Sequence, residues 1–457
     1  MKKLIYFFVV TLLVLSTNAY SQWIVAGGVV GVGSSESPSI SVCSPTCAWV
    51  VFGTGTNGPA IFRTTNAGTT WTSMPTTGLA VKKLFSVWAI DSLTAFVGDG
   101  GDPTGTVGGD AILSKTTNGG VSWTAVANTG GTAGFINGVI FSRTNPQFGF
   151  AQSDPPTGSG QAYWIKKTTD GGTTWTTQSP TGVSGAASAQ NGLFIIDGNF
   201  YGFGLNAAPS RGRYTTDGGT TWSLATLGIT GGFVSGIAFH DNKQTGIAIT
   251  GDGTGSSLPN ISRTTNGGAT WTAVNTGTGV TGYGNVKWIS NSNTCYLSGG
   301  VGTSGVVKKS TNGGLNWTTQ STSGLTGITH FDFYRNGSTV WGYAVCSDGT
   351  VLKLNETVTG VSEPINTTVP AQYSLEQNYP NPFNPSTTIN FSLPTASDVT
   401  VKVYNALGYE VMTLVNEYKN AGTHQVIMNA SGLTSGIYFY KIEAGNFTAT
   451  KKLTLIK

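Results

Sequence analysis

The chain reads as an all-β protein, a seven-bladed β-propeller closed by an N-terminal strand and followed by a small immunoglobulin-like β-sandwich. Three observations predict this. First, an eight-residue box recurs six times: TTNAGTTW (64–71), TTNGGVSW (116–123), TTDGGTTW (168–175), TTDGGTTW (215–222), TTNGGATW (264–271) and STNGGLNW (310–317). The box starts are 52, 52, 47, 49 and 46 residues apart, a period typical of repeat architectures. Second, two apolar strand-like runs joined by a polar turn precede each box, so that one period carries about four strands, which selects a propeller. Third, the period stops before residue 373, and short alternating runs take over.

From the N-terminus, Lys2 and Lys3 precede the apolar run LIYFFVVTLLVL and then small residues, the pattern of a secretory signal over 1–21 with cleavage after Ala19 or Ser21. The run is short for a bilayer span and no second apolar stretch follows, so the mature chain is expected to carry no transmembrane anchor; an uncleaved anchor is the alternative. SQWIVAGG (21–28) sets Trp23 48 residues before Trp71, in step with the repeat. Paired strands follow at 39–53, 84–98, 138–151, 236–250, 286–299 and 329–345, the last continued by DGTVLKL (348–354). That final unit lacks a box and a fourth strand, so 21–28 is expected to complete it and to remove two open sheet edges. The propeller is thus placed at 22–354.

Within the box, Asn66, Asn118, Asp170, Asp217, Asn266 and Asn312 hold the third position, where a side-chain oxygen accepts backbone N–H groups one or two residues on. Gly68, Gly120, Gly172, Gly219, Gly268 and Gly314 hold the fifth, where positive φ is expected. Trp71, Trp123, Trp175, Trp222, Trp271 and Trp317 close the box as pegs between neighbouring sheets. Cys43 and Cys47 frame the turn CSPTC, where a hairpin disulfide and two buried free thiols are both open. Cys295 and Cys346 lie in separate strand-like runs.

Residues 355–372 are polar and Pro-containing, as a linker is. The segment after it, YSLEQNYPNPFNPSTTINFSLP, contains four prolines that preclude a helix, and about seven short strands over 373–457 make a sandwich.

Only 10% of the chain is charged, while 12 Trp, 16 Tyr and 21 Phe supply ample core, which excludes a disordered polyelectrolyte. The formal charge of +4 is too small and too evenly spread for nucleic acid. There is no phosphate loop, GxSxG or His-rich metal motif, so no cofactor and no metal is expected.

The pattern [ST]-x-[DN]-x-G-x-[ST]-W resembles the Asp-box, or BNR repeat, of sialidase-like propellers, although four boxes carry Asn and Asn316 replaces the usual Thr of the sixth. The resemblance implies boxes between third and fourth strands, away from the ligand face. Residues 373–457 resemble the type A C-terminal sorting domain of the type IX secretion system, through LEQNYPNPFNPSTTINFSLP (375–394), VYNALGYEV (403–411), GTHQV (422–426), LTSGIYFYKI (433–442) and KKLTLIK (451–457). That resemblance implies the type IX machinery as partner, export through the periplasm and outer membrane of a Bacteroidetes-type bacterium, and cleavage of the domain within 355–372.

Sialidases need three substrate-clamping arginines and a Tyr/Glu pair. The propeller region has only Arg63, Arg143, Arg211, Arg213, Arg263 and Arg335, no Arg-Ile-Pro, and Glu36 as its sole glutamate, which argues against that activity. Arg63 and Arg263 precede boxes at a repeat position shared with Lys115, Lys167 and Lys309. Asp99, Asp102, Asp154, Asp252 and Asp348 follow second strands and are expected on the face opposite the boxes, either as turn formers or as an acid/base pair. His240 and His330 align in the paired-strand repeat as strand histidines, and Tyr163, Trp164 and Tyr283 are packing residues or sugar platforms. The expected function is binding or scaffolding of a glycan or a surface protein; the alternative is a glycoside hydrolase using the aspartates. A third resemblance, to Asp-box assembly factors of photosystems, conflicts with the exported address.

Overall fold

A computed structural model describes residues 23–27, 36–54, 58–80, 83–101, 109–157, 160–178, 188–206, 211–228, 233–251, 261–274, 284–299, 305–320, 327–357, 372–395, 397–419 and 422–456. The signal segment, Asp102, Asp252, Tyr283 and most of 355–372 lie outside these. The chain forms two compact units, Met1–Gly360 and Val361–Lys457.

Every regular element among the described residues is a strand. In the first unit these form seven four-stranded antiparallel sheets, six of them consecutive in the chain, such as Leu84–Ala89, Ala95–Asp99, Ile112–Thr116 and Thr124–Asn128. The seventh is assembled from both ends: Ile328–Asn336, Thr339–Cys346 and Val351–Thr357 are joined by Ile24–Val25, with Ile24 opposite Lys353 and Val25 opposite Leu352. First strands of consecutive sheets touch in sequence, and Ile328–Asn336 returns to Glu36–Val42, closing a propeller.

Burial explains the sequence pattern. Leu84–Ala89 and Ala95–Asp99 are buried at every residue, whereas the fourth strands Thr72–Ser73 and Thr176–Thr177 are exposed. Inner strands sandwiched between neighbours therefore read as unbroken apolar runs, and outer strands as threonine.

The innermost strand of each sheet has a free edge, whose N–H groups need acceptors. Neighbouring sheets supply them. Ser39 Oγ accepts from Val87 N–H at 3.3 Å and Ser41 Oγ from Ala89 N–H at 3.0 Å. Across the closing seam, His330 Nδ1 accepts from Ile40 N–H at 3.0 Å and Asp332 Oδ2 from Val42 N–H at 2.8 Å. In six sheets the pairing of first and second strands slips near the start of the first strand. Bulges of this kind re-aim the side chains beyond them; Ser39 and His330 are the first residues past two of the slips.

The second unit pairs a three-stranded sheet (Ser374–Leu375, Ser386–Leu393, Gly422–Asn429) with a four-stranded one (Glu410–Lys419, Ser397–Asn405, Gly436–Ala444, Phe447–Leu455). Phe391, Val401, Val403, Tyr440 and Leu453 form its core. The Tyr440 hydroxyl donates to Glu376 O at 2.6 Å and accepts from Asn378 N–H at 2.8 Å, which fixes the Pro-rich entry segment to the core.

Candidate functional site

The six boxes share one hydrogen-bond network, anchored by a residue that pattern reading had passed over. The first-position hydroxyl (Thr64, Thr116, Thr168, Thr215, Thr264, Ser310) is buried and donates to the third-position Oδ1 at 2.8–3.0 Å. It also accepts the fifth-position glycine N–H at 2.8–3.1 Å. The third-position Oδ1 accepts from the seventh-position N–H at 2.9–3.1 Å, so its reach is four residues on rather than the expected one or two. Asn and Asp are interchangeable because the seventh hydroxyl reverses its role. It accepts from Asn66 Nδ2 at 2.9 Å and donates to Asp170 Oδ2 at 2.7 Å.

Donors from Thr174, backbone N–H first, hold the Asp170 carboxyl down at about 2, and those of Thr221, hydroxyl first, do the same for Asp217, against an ordinary 3.8. A depressed carboxyl contributes stability that is complete above the unfolded value and lost as pH falls through the folded one. The loss therefore lies between about pH 4 and 2. The double variant Asp170→Asn, Asp217→Asn is expected to flatten that limb in acid-unfolding curves; parallel curves for variant and parent would contradict it.

The fifth-position glycines have φ of +74° to +95° and face the neighbouring sheet closely. At Gly172 a Cβ would stand 2.3 Å from Phe96 Cζ. Gly172→Ala is expected to cost about 1–3 kcal/mol through left-handed strain and overpacking. A thermal shift no larger than that of an exposed Thr174→Ala control would refute this. The box tryptophans pack on aromatic neighbours, with Trp123 T-shaped on Trp49 at 6.1 Å and Trp175 between Phe96 at 6.0 Å and Phe141 at 5.8 Å.

The cations preceding the boxes strap sheet to sheet. Lys115 donates to Gly171 O at 3.1 Å, Lys167 to Gly218 O at 3.1 Å, Arg63 to Gly119 O at 2.8 Å and Arg263 to Gly313 O at 2.7 Å, each a fourth-position carbonyl of the next box. Lys353 reaches Ala67 O across the seam at 3.4 Å. Lys309 faces the sheet that has no box and pairs with Glu356 at 2.5 Å instead.

Asp99 and Asp348 accept backbone N–H groups of their own loops, and Asp154 accepts from the first strand of its sheet. Asp99 Oδ1 accepts from Gly101 N–H at 2.9 Å and Ile112 N–H at 3.0 Å, and Asp348 Oδ1 from Thr350 N–H at 2.9 Å. Asp154 Oδ1 accepts from Asn137 Nδ2 at 2.7 Å. Tyr163 and Trp164 are buried, Tyr163 against Phe203 and Trp164 donating to Asn128 O, so they pack rather than present a platform. Cys43 and Cys47 are free, which corrects the disulfide alternative; Cys43 Sγ–H donates to Cys47 O at 3.4 Å inside a packed cluster. That contact belongs to a turn already closed by Cys43 N–H to Cys47 O at 3.0 Å and Cys47 N–H to Ser44 Oγ at 3.0 Å, and the neighbouring Cys47 side chain and burial push the Cys43 thiol up. His240 and His330 do not correspond. His240 follows its inner strand, where its Nδ1 accepts from Asn242 N–H at 2.9 Å, while His330 lies within its own strand.

A cavity of about 530 Å³ opens where the inner strands end. It lies on the box side, because box N–H groups bond the same turns that follow those strands: Gly119 to Leu93 O, Gly171 to Gln147 O, Gly267 to Gln244 O, Gly313 to Asn293 O. The ladders set Ser41, Trp88, Ile140, Phe194, Ala238 and Lys287 opposite the second residue of the neighbouring strand, and Asp332, opposite Tyr343 in the longer seventh hairpin, stands two residues past its strand's slip, as Ser41, Trp88, Ile140 and Ala238 do. All except Ser41 line the cavity. Aligning the paired-strand elements on their second strands would have exposed this column, in which Lys287 and Asp332 stand among mostly apolar residues. Arg143 crosses the cavity, ion-paired with Asp332 and stacked on Trp88 with its guanidinium 4.1 Å from the ring centre. At the rim, Arg335 donates to Ser290 O at 2.5 Å, while Asp241 accepts from Ser290 Oγ at 3.1 Å and from Asn291 N–H.

Among the described residues no helix is long and apolar enough to cross a membrane, and no cluster of three or more metal-ligating side chains occurs. No curated protein matches the sequence. Among solved structures, YCF48 bound to D1 peptide is 17% identical and aligns over 76% of this chain and 100% of its own, with a TM-score of 0.50. PorZ, a surface component of the type IX secretion system of Porphyromonas gingivalis, is 15% identical over 92% of this chain and 59% of its own, at a TM-score of 0.47. An ancestral GH74 enzyme is 15% identical over 96% of this chain and 64% of its own, at 0.49. The first of these likenesses supports the fold alone. Residues 377–457 match the family described as the secretion system C-terminal sorting domain. The chain is therefore a β-propeller protein carrying a type IX sorting domain, the signal for export to the surface or medium in Bacteroidetes.

Proposed function

We propose that the protein is an exported binding module, a seven-bladed Asp-box propeller over 22–354 whose partner is a glycan or a surface protein. The supporting observation is the box-side cavity, where aromatic and aliphatic walls meet a small set of fixed charges, the composition of a recognition pocket. Its carboxylates are engaged, Asp332 by Arg143 and Val42 N–H and Asp241 by the 290–291 turn, which favours binding over acid/base hydrolysis. The sorting domain then serves delivery, with removal by cleavage in 355–372.

The test is to incubate residues 22–457 with immobilised sialoconjugates, β-glucans, xyloglucan and mucin, and with isolated outer-surface proteins. Retention without sugar release is expected. Sugar release that disappears in Asp99→Asn or Asp252→Asn would replace this reading by the hydrolase.

A further inference from the structure

We infer that the box-side cavity is a receptor for a carboxylate borne on an apolar group, held by Lys287 with the His330 Nε2–H beneath it. This deepens the binding reading, on which it rests, by naming the ligand class.

The first ground is charge. Among the described residues, three cations (Arg143, Lys287, Arg335) and two carboxylates (Asp241, Asp332) line the cavity, leaving one positive charge to be balanced by a monoanion. Arg143 is committed to Asp332, and Arg335 to Ser290 O, Asn291 O and Gly337 O. Lys287 is the cation left available. Burial pushes its ammonium down, Asp332 opposes this and Arg143 adds to it, so an incoming anion would stabilise the charged form.

The second ground is a buried donor. His330 is 5% exposed, and its Nδ1 is taken by the N–H of Ile40, a group that can only donate. Burial and the charge of Lys287 hold the ring well below 6.5, so it is neutral and its proton sits on Nε2. That Nε2–H has no acceptor among the described residues, although it lies two residues from cavity-lining Asp332 on the same strand and within the field of Lys287. A buried donor without a partner is costly, and a carboxylate oxygen supplies one.

The third ground is shape. Ile140, Leu193, Ile237, Phe239, Trp88 and Trp288 wall the space, which suits an apolar substituent and rejects a hydrated inorganic anion.

Residues 22–457 would be titrated with 4-phenylbutyrate and with N-acetyl-Phe-Leu bearing a free carboxylate, each against its amide. Calorimetry and the fluorescence of Trp88 and Trp288 would report binding. Each acid that binds is expected to do so at least tenfold more tightly than its amide; binding of the peptide acid alone marks a chain terminus as the source, and of phenylbutyrate alone a small acid. Lys287→Met is expected to abolish that preference with unchanged melting, and Lys287→Arg to retain it. Equal affinity for acids and amides, an undiminished preference in Lys287→Met, or no binding of any probe at millimolar concentration would overturn the inference. If no probe binds but the chain is still retained on a glycan or surface protein, only this inference falls; if sugar release appears as well, the binding reading falls with it.

Discussion

Replacing Trp23 by alanine is expected to lower the unfolding free energy by about 3–5 kcal/mol, the range for removing a buried large aromatic. Trp23 is 3% exposed and packs against Tyr296 at 6.1 Å, Phe333 at 6.0 Å and Phe331 at 6.5 Å. The strand it introduces has only two residues, Ile24 and Val25, both exposed, with one further backbone bond from Ala26 N–H to Val351 O at 2.8 Å. Trp23 is thus the aromatic anchor of the N-terminal strand, beside the Trp71 indole that donates to Ala26 O at 3.0 Å, and its loss removes packing that holds this strand in the seventh sheet. Denaturant titrations should show the midpoint falling sharply, while Val25→Ala, at a site 56% exposed, changes stability by less than about 0.5 kcal/mol. Equal effects of the two substitutions would mean that the seam does not depend on the tryptophan.

Asp332→Ala is the second large effect, expected at about 2–4 kcal/mol. Breaking a buried pair leaves an uncompensated charge, and the partly exposed Arg143, with a side chain 29% accessible against 8% for Asp332, softens that penalty. The substitution also leaves Val42 N–H without its acceptor and removes the weaker 3.4 Å partner of Ser41 Oγ. Asp332→Asn keeps an acceptor for Val42 while discarding the ion pair, so it should lie between parent and alanine variant. Unfolding midpoints of the three proteins decide this, and a ranking with asparagine at or below alanine would show that the backbone cap contributes nothing.

Local chemistry was the legible part. A Thr hydroxyl, an Asn or Asp oxygen and a glycine within eight residues build a complete turn, so the boxes announced themselves regardless of their surroundings. Even there the reach of the Asn66 oxygen to Thr70 N–H was underestimated, because the hydroxyl of Thr64 occupies the near side. The histidines illustrate the opposite case. His240 and His330 read alike in the paired-strand runs, yet both inner strands slip at the same place, which sets His330 level with Gly236, while His240 falls beyond the end of its strand. Position along the inner strand decides which neighbour a side chain meets, and no run of sequence encodes that neighbour.

By itself, then, the sequence determined the strand-only class, the repeat with its N-terminal closing strand, and the exported address, because period, turn chemistry and sorting motif are all short-range patterns. The tertiary structure decided which end of the inner strands carries the cavity and which charges face it. Arg143 meets Asp332 across 189 positions, and Ile40 meets His330 across 290. Such partners are specified only when the ring closes, since each free strand edge must find its acceptor on whichever sheet the closure brings beside it.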